Sequence, residues 1–297
     1  MISTPALCLE VGGTKIACGV VDSDGSAADV GSHTVTGRGG AAVTKIITLV
    51  RALQARHAVS HVGVAVPGPA DQVRGVVLCA LDLGWQALPL GGLLHTTLGQ
   101  DVRLSNDGHA AAWAEHRFGA GRVRDLAVLV TIGTGVGGGT VVGDRPTKGH
   151  RGLGGEWGHL PLMPGGRRCE CGATGCWERY ANGSAFVAEA RRCGWNSSED
   201  VLAAAEAGDH RATQVVATVD GHLAHGLTIL GACLAPEEII VGGGLSCDPR
   251  FVGHVRRALA GFGTHPTRAE VTIRPAGLGA RAGLLGAADL ARSATLV

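Results

Sequence analysis

The sequence carries no surplus of charge of either sign: 26 Lys and Arg stand against 25 Asp and Glu in 297 residues, a net charge of +1. With no basic run among them, nucleic acid and anionic membrane surfaces are not expected as partners. No uninterrupted apolar stretch reaches the ~18 residues that a membrane span needs, and the first charged residue is Glu10, so the basic region of a signal peptide is missing. A soluble, cytoplasmic protein is predicted. Linkers, low-complexity blocks and short-period repeats are also absent, as is a GxxxxGK[ST] phosphate loop. Disorder is excluded, because 45% of the residues are hydrophobic and only 17% are charged.

What the chain has in excess is glycine, 49 residues, against a usual share of about 7%. No Gly-X-Y period is present, so collagen is ruled out. The glycines belong to a folded protein, where the backbone must turn tightly or approach a ligand closely. At roughly 100–200 residues per domain, the length predicts about two domains. Three of the nine cysteines, Cys169, Cys171 and Cys176, fall within eight positions, a pattern that in a reducing compartment suggests metal rather than disulfides. Cys18, Cys79 and Cys233 lie in apolar runs and are expected in the core.

Residues 6–25 read as a hairpin bent at Gly12 and Gly13, residues 41–57 keep helical spacing, and HVGVAVPG reads as a buried strand. DVRLSN is a short strand and DGHAAAWAEHRFG an alanine-rich helix, which puts Asp107 at a strand-to-helix junction. LAVLVTIGTGVGGGTVVGD is a pair of strands around a glycine-rich turn. An irregular stretch over 150–176 follows, then helices near 184–193, 198–207 and 210–234, the strand EEIIVGGG, the amphipathic PRFVGHVRRALAGF, the strand EVTIRPA and a last helix over 280–291. Helices alternating with strands imply α/β layering.

GTGVGG at 133–138 matches the dinucleotide fingerprint only formally, because a strand and not a helix follows it. A nicotinamide site is therefore not expected. The turn can still aim backbone N–H groups, together with the Thr134 hydroxyl, at phosphate oxygens. EVGGTK at 10–15 joins a carboxylate, two glycines, a hydroxyl and an ammonium into a possible phosphate and Mg²⁺ corner, and Gly242, Gly243 and Gly244 end a third strand. His159 with Cys169, Cys171 and Cys176 makes a closed, hence structural, tetrahedral Zn²⁺ site. Glu156 and Glu178 flank it. Asp107 follows Asn106 at a helix start, where either residue could serve as a cap; alternatively Asp107, ionised with an ordinary pKa, could orient and deprotonate a hydroxyl.

Taken in order, EVGGTK, SNDG, GTGVGGG, GEWGH, CECGATGCWE and IVGGG resemble the ROK family of repressors, open reading frames and kinases, most closely its bacterial glucokinases. The resemblance spans nearly the whole chain. It implies an α/β, actin-like ATPase (ribonuclease H-like) fold in two α/β domains with a cleft between them, residues 1–118 completed by a C-terminal helix at 284–297, and residues 119–283 carrying the zinc loop. It further implies transfer of the γ-phosphoryl group of MgATP to a hexose 6-hydroxyl. Asp107 becomes the catalytic base, and Gly68, Asn106, Asp107, Glu156, His159 and Glu178 the sugar contacts. Gly12, Gly13, Thr14 and Lys15 become the first phosphate motif, Thr134, Gly135, Gly137 and Gly138 the second, and Gly242–Gly244 the adenosine motif. ATP, Mg²⁺ and structural Zn²⁺ are the implied cofactors, and a homodimer or homotetramer the implied assembly.

Two positions depart from the family pattern. Glu10 replaces the usual Asp, and its extra methylene keeps the charge, so assistance to Mg²⁺ is expected to survive. Asp82 stands in a Leu81–Asp82–Leu83 segment where glucokinases tend to read P-N-L. It adds a negative charge that would suit a cationic aminosugar; an aminosugar kinase of the kanosamine, glucosamine or (uncharged) N-acetylmannosamine type is the alternative within the same family. A repressor or non-catalytic sugar sensor is the competing class; with the first strand expected by about residue 6, no winged helix is expected ahead of it.

Overall fold

The computed structural model describes residues 4–35, 37–122, 125–247, 249–261 and 271–293. The outermost residues of two predicted segments, Phe262 and Glu270, lie outside these. The chain forms two compact units, residues 1–125 with 138–155 and 280–297, and residues 126–137 with 156–279.

In the first unit β1 (Ala6–Val11), β2 (Lys15–Val21) and β3 (Ala27–Thr34) form an antiparallel meander. Helix α1 (Gly40–Gln54) buries Ala42, Ile46, Leu49, Val50 and Leu53, a stripe at helical spacing. Strand β4 (His61–Val66) runs parallel to β1. A small antiparallel sheet of β5 (Ala70–Asp71), β6 (Val76–Ala80) and β7 (Trp85–Leu88) comes next, then α2 (Leu90–Leu98), β8 (Val102–Asn106) parallel to β4, and α3 (Asp107–Phe118). The main sheet has the order β3-β2-β1-β4-β8. Five of the six residues of β1 are buried, as befits a central strand covered on both faces. β3, the small sheet and α2 left no pattern in the sequence: β3 is a largely polar edge strand, and β5 is only two residues long.

The second sheet contains β9 (Leu126–Ile132), β10 (Val136–Val142), β11 (Arg145–Thr147), β12 (Glu238–Gly242) and β13 (Thr272–Pro275), in the order β11-β10-β9-β12-β13. β12 is parallel to both its neighbours. The second unit adds the one-turn α4 (Glu178–Ala181), α5 (Gly183–Arg192), α6 (Ser198–Glu206), α7 (His210–Leu234) and α8 (Pro249–Ala260). Asp209 starts α7 by accepting hydrogen bonds from the backbone of Arg211 and Ala212, and Ala235, in the left-handed conformation, ends it. Trp177, Phe186 and Phe251 are fully buried in this unit's core. Of the cysteines expected inside, Cys18 is buried and Cys79 half-buried, but Cys233 is exposed: it sits on the solvent side of the last turn of α7, where an apolar run does not by itself mean burial. No helix among the described residues is long and apolar enough to cross a membrane.

Helix α9 (Ala282–Arg292) returns to the first unit and packs on α3, β1 and β4. Its buried Asp289 accepts hydrogen bonds from Trp113 Nε1 at 2.8 Å, Arg117 Nε at 3.2 Å and an Arg292 guanidinium nitrogen at 3.0 Å. Removing this shared acceptor takes a partner from the buried Trp113 indole and from both guanidinium groups, although Arg292 keeps the Val21 and Asp22 carbonyls. Asp289→Ala is expected to lower stability by about 3 kcal/mol, read as a shifted urea midpoint, while Asp289→Asn, which can still accept from Trp113, loses less.

Candidate functional site

Strands β1, β4 and β8 are parallel, with Glu10 in register with Ala65 and Val66 with Asn106, so their C-terminal ends share one edge of the sheet. Ligand sites of open α/β sheets lie beyond that edge. Asn106 is the cap of α3: its Oδ1 accepts from the backbone of His109 at 2.9 Å, and its Nδ2 donates to the Gly68 carbonyl at 3.0 Å. Gly68 adopts φ +72°, and a Cβ there would collide with the Cys79 carbonyl, so only glycine brings this carbonyl to Asn106. Because Asn106 does the capping, Asp107 is not the cap that its position allowed. Its carboxylate accepts from the Gly108 N–H at 2.8 Å. Burial outweighs that bond and raises its pKa to about 6, above the ordinary value expected from the sequence.

Glu10 lies at the end of β1 with a pKa raised to about 7, first by burial and then by the charge of Asp107. The Leu284 N–H at the start of α9 donates to it, and a Cβ on Gly283 would overlap its carboxyl group. The longer side chain is therefore accommodated by a helix N-terminus that has no side chain in the way. Gly12 and Gly13 are half-exposed, and Thr14 and Lys15 exposed, in the turn that the Gly12 N–H closes on the Lys15 carbonyl at 2.7 Å. Asp82 stands in a single 3₁₀ turn, Leu81–Leu83, and its Cβ lies 2.9 Å from where a Cβ of Gly13 would be. It has no ion-pair partner among the described residues. Sequence reasoning did not foresee this contact with the glycine turn, since residues about 70 apart meet only through the small sheet.

In the second unit one ligand atom from each of His159, Cys169, Cys171 and Cys176 lies within 4.8 Å of the others. The Cys171 and Cys176 sulfurs are 3.6 Å apart, and Cys169 Sγ is 3.7 Å from His159 Nδ1. A tetrahedral Zn²⁺ with Zn–S of about 2.3 Å sets sulfurs about 3.8 Å apart, so the donor set and its spacing fit this metal. Burial pushes the Cys169 thiol up to about 12, whereas the Ala173 N–H lowers the pKa of Cys171. Both flanking carboxylates reach His159: Glu156 Oε2 is 3.9 Å from Nε2 and Glu178 Oε1 is 3.7 Å from Nδ1. Glu178 Oε1 also accepts from Cys169 Sγ at 3.0 Å, while Oε2 points toward the backbone of Gly135 and Gly158.

The glycine turn between β9 and β10 is tied to α5. Asn182 caps that helix by accepting from the Ala185 N–H at 2.7 Å, and its Nδ2 donates to the Thr134 carbonyl at 2.6 Å. The run Asn182–Gly183–Ser184 is a capping signal that the sequence displays and our reading passed over. Beyond the aligned ends of β9 and β12 a cavity of about 710 Å³ opens, within the range of small-molecule sites. Gly133, Thr134 and Gly244 line it. Gly137 and Gly138 lie within β10 and Gly242 within β12, with Gly243 just beyond its end.

A family model described as "ROK family" matches residues 6–294. The chain is 34% identical to a glucokinase of Streptomyces coelicolor, over 96% of each chain, and 35% identical to an N-acetylmannosamine kinase of Yersinia pseudotuberculosis, over 97% of this chain and 98% of that one. Among solved structures, a ROK family glucokinase from Streptomyces griseus in complex with glucose and AMPPNP superposes with a TM-score of 0.86 at 32% identity, covering 98% of this chain and 99% of that one. The two-sheet α/β architecture is the actin-like ATPase fold of these kinases. Coverage from end to end, at identities above 30%, means that this protein belongs to the ROK family.

Proposed function

We propose that the protein transfers the γ-phosphoryl group of MgATP to the 6-hydroxyl of glucose or a close hexose analogue. The observation that carries this reading is the Asn106–Asp107 junction: a cap that fixes the helix start leaves beside it a partly desolvated carboxylate of raised pKa at the ligand-binding edge of the sheet. Phosphoryl transfer through a loose transition state needs alignment and charge neutralisation more than a strong base. Asp107 accepts the hydroxyl proton as the O–P bond forms. Gly12, Gly13, Thr14 and Lys15, with Thr134, Gly135, Gly137 and Gly138, hold the phosphates, Gly242–Gly244 border the adenosine, and Glu10 faces the Mg²⁺ that accompanies ATP. Gly68, Asn106, Glu156, His159 and Glu178 orient the sugar. His159, Cys169, Cys171 and Cys176 hold structural Zn²⁺, which fixes the loop and supplies no chemistry to the transfer. We place the enzyme in the cytoplasm as a homodimer or homotetramer. The decisive experiment is an ADP-release assay with ATP over glucose, mannose, N-acetylmannosamine, glucosamine and 3-amino-3-deoxyglucose. No turnover with any of them would overturn the proposal.

A second reading, an aminosugar kinase, is favoured by Asp82, a carboxylate beside Gly13 with no ion-pair partner among the described residues. An ammonium group on the substrate would neutralise it. In that case Asp82→Asn should lower kcat/KM for an amino-hexose relative to glucose by about tenfold, equivalent to about 1.4 kcal/mol. An unchanged preference would remove aminosugars from consideration.

A further inference from the structure

The cavity beyond β9 and β12 extends past the phosphate-binding turn. Ser184, Val187, Ala188 and Arg191 project into it from one face of α5, at the spacing that aligns side chains along a helix. Arg191 is seven residues beyond Ser184, about 10 Å along the axis at 1.5 Å per residue. Glu199, in the first turn of α6, lines the same space, and Leu245 adds apolar surface to that of Val187 and Ala188. A ligand whose phosphates rest on Gly133 and Thr134 thus continues across apolar surface to a guanidinium and a carboxylate. These two charges do not neutralise each other: among the described residues no ion pair joins them, and the Glu199 carboxylate accepts a hydrogen bond from the Ser198 hydroxyl at 3.1 Å.

We propose that Arg191 and Glu199 read the nucleoside of the phosphoryl donor, committing the enzyme to a nucleoside triphosphate and against inorganic polyphosphate. This rests on the kinase reading above. A polyphosphate chain is anionic along its whole length, so a carboxylate and an apolar wall in the same cavity oppose it. A nucleoside offers both a flat apolar face for Val187 and Leu245 and the N–H or O–H donors that Glu199 lacks, while its ring nitrogens and oxygens accept from Arg191. Those donors are a base amine or the ribose hydroxyls.

Calorimetric titration of the full chain with AMPPNP and with inorganic triphosphate, without sugar, tests the pair independently of which sugar is the substrate. Glu199→Ala and Arg191→Ala should each weaken AMPPNP at least tenfold and leave triphosphate binding unchanged. Glu199→Gln, which keeps an acceptor oxygen but loses the charge, should fall between. Both residues are exposed, so melting temperatures should not move. Titration with the inosine and 2′-deoxyadenosine analogues separates the two donors: whichever analogue binds the wild type weakly should be insensitive to Glu199→Ala. Wild-type AMPPNP affinity in both alanine variants, or an equal loss for triphosphate, would overturn the assignment. Failure of the ADP-release panel with AMPPNP binding intact would instead count against the sugar reading alone.

Discussion

Asp107→Asn is expected to fold normally, to bind AMPPNP as the wild type does, and to lose about 10³-fold in kcat, within the range that a positioned general base contributes. Asparagine keeps the size of the side chain and can still accept from the Gly108 N–H, so the start of α3 survives. Asn106, the cap, is untouched. What disappears is the group proposed to receive the hydroxyl proton. The pH dependence gives a second, independent reading. The base works ionised, and burial has raised its pKa to about 6. Glu10, raised to about 7, titrates just above it, so wild-type kcat/KM should be level above about 7, fall tenfold per unit below that as Glu10 is protonated, and steepen below about 6 as Asp107 follows. Were Asp107 only a structural residue, the steepening below about 6 would persist in Asp107→Asn. Its loss, together with the drop in kcat, assigns the proton transfer, and wild-type turnover in the variant would refute it.

Disrupting the cysteine cluster should have the second largest effect. Cys171 is the suitable position, because it is exposed, whereas Cys169 and Cys176 are buried and their replacement would also disturb packing. Cys171→Ser is expected to purify with less than stoichiometric zinc by mass spectrometry. It should melt at least several degrees lower, given that 1 kcal/mol shifts a domain of this size by about 2–4 °C. The sugar KM should rise by about ten- to a hundredfold, the usual cost of disturbing groups that support a metal site. The route from the cysteine cluster to the proposed sugar contacts is short: Glu156 and Glu178 both lie against His159, and Glu178 also touches Cys169. Nucleotide binding, read by AMPPNP titration, should change little. Treatment of the wild type with a chelator should reproduce all three effects, and a zinc-free enzyme with unchanged sugar KM would show that the cluster does not position these carboxylates.

Much of the site is legible in the sequence. The His159, Cys169, Cys171 and Cys176 spacing announces a metal because thiolates at those intervals can converge within one loop, and they do. The glycine-ended strands and the Asn106–Asp107 junction are local features, set by turn chemistry and capping over a few residues, and their places were legible for that reason. α7 runs over the stretch that its periodicity and Asp209 cap mark out.

Other properties depend on neighbours that the chain supplies from far away. The raised pKa of Asp107 and the anchoring of Glu10 on α9, more than 270 residues further along, come from burial and long-range packing, which no motif encodes. The same holds for Asp82 against Gly13, and for Arg191 and Glu199 around a cavity that Thr134 and Leu245 also line. The sequence by itself determined which chemical groups are present and the local turns that hold them: a carboxylate at a strand-to-helix junction, glycine-ended strands and a zinc-type ligand set. Only the tertiary structure decided their electrostatic state and their companions, because desolvation and through-space contact depend on how distant segments pack, and sequence separation carries no measure of that.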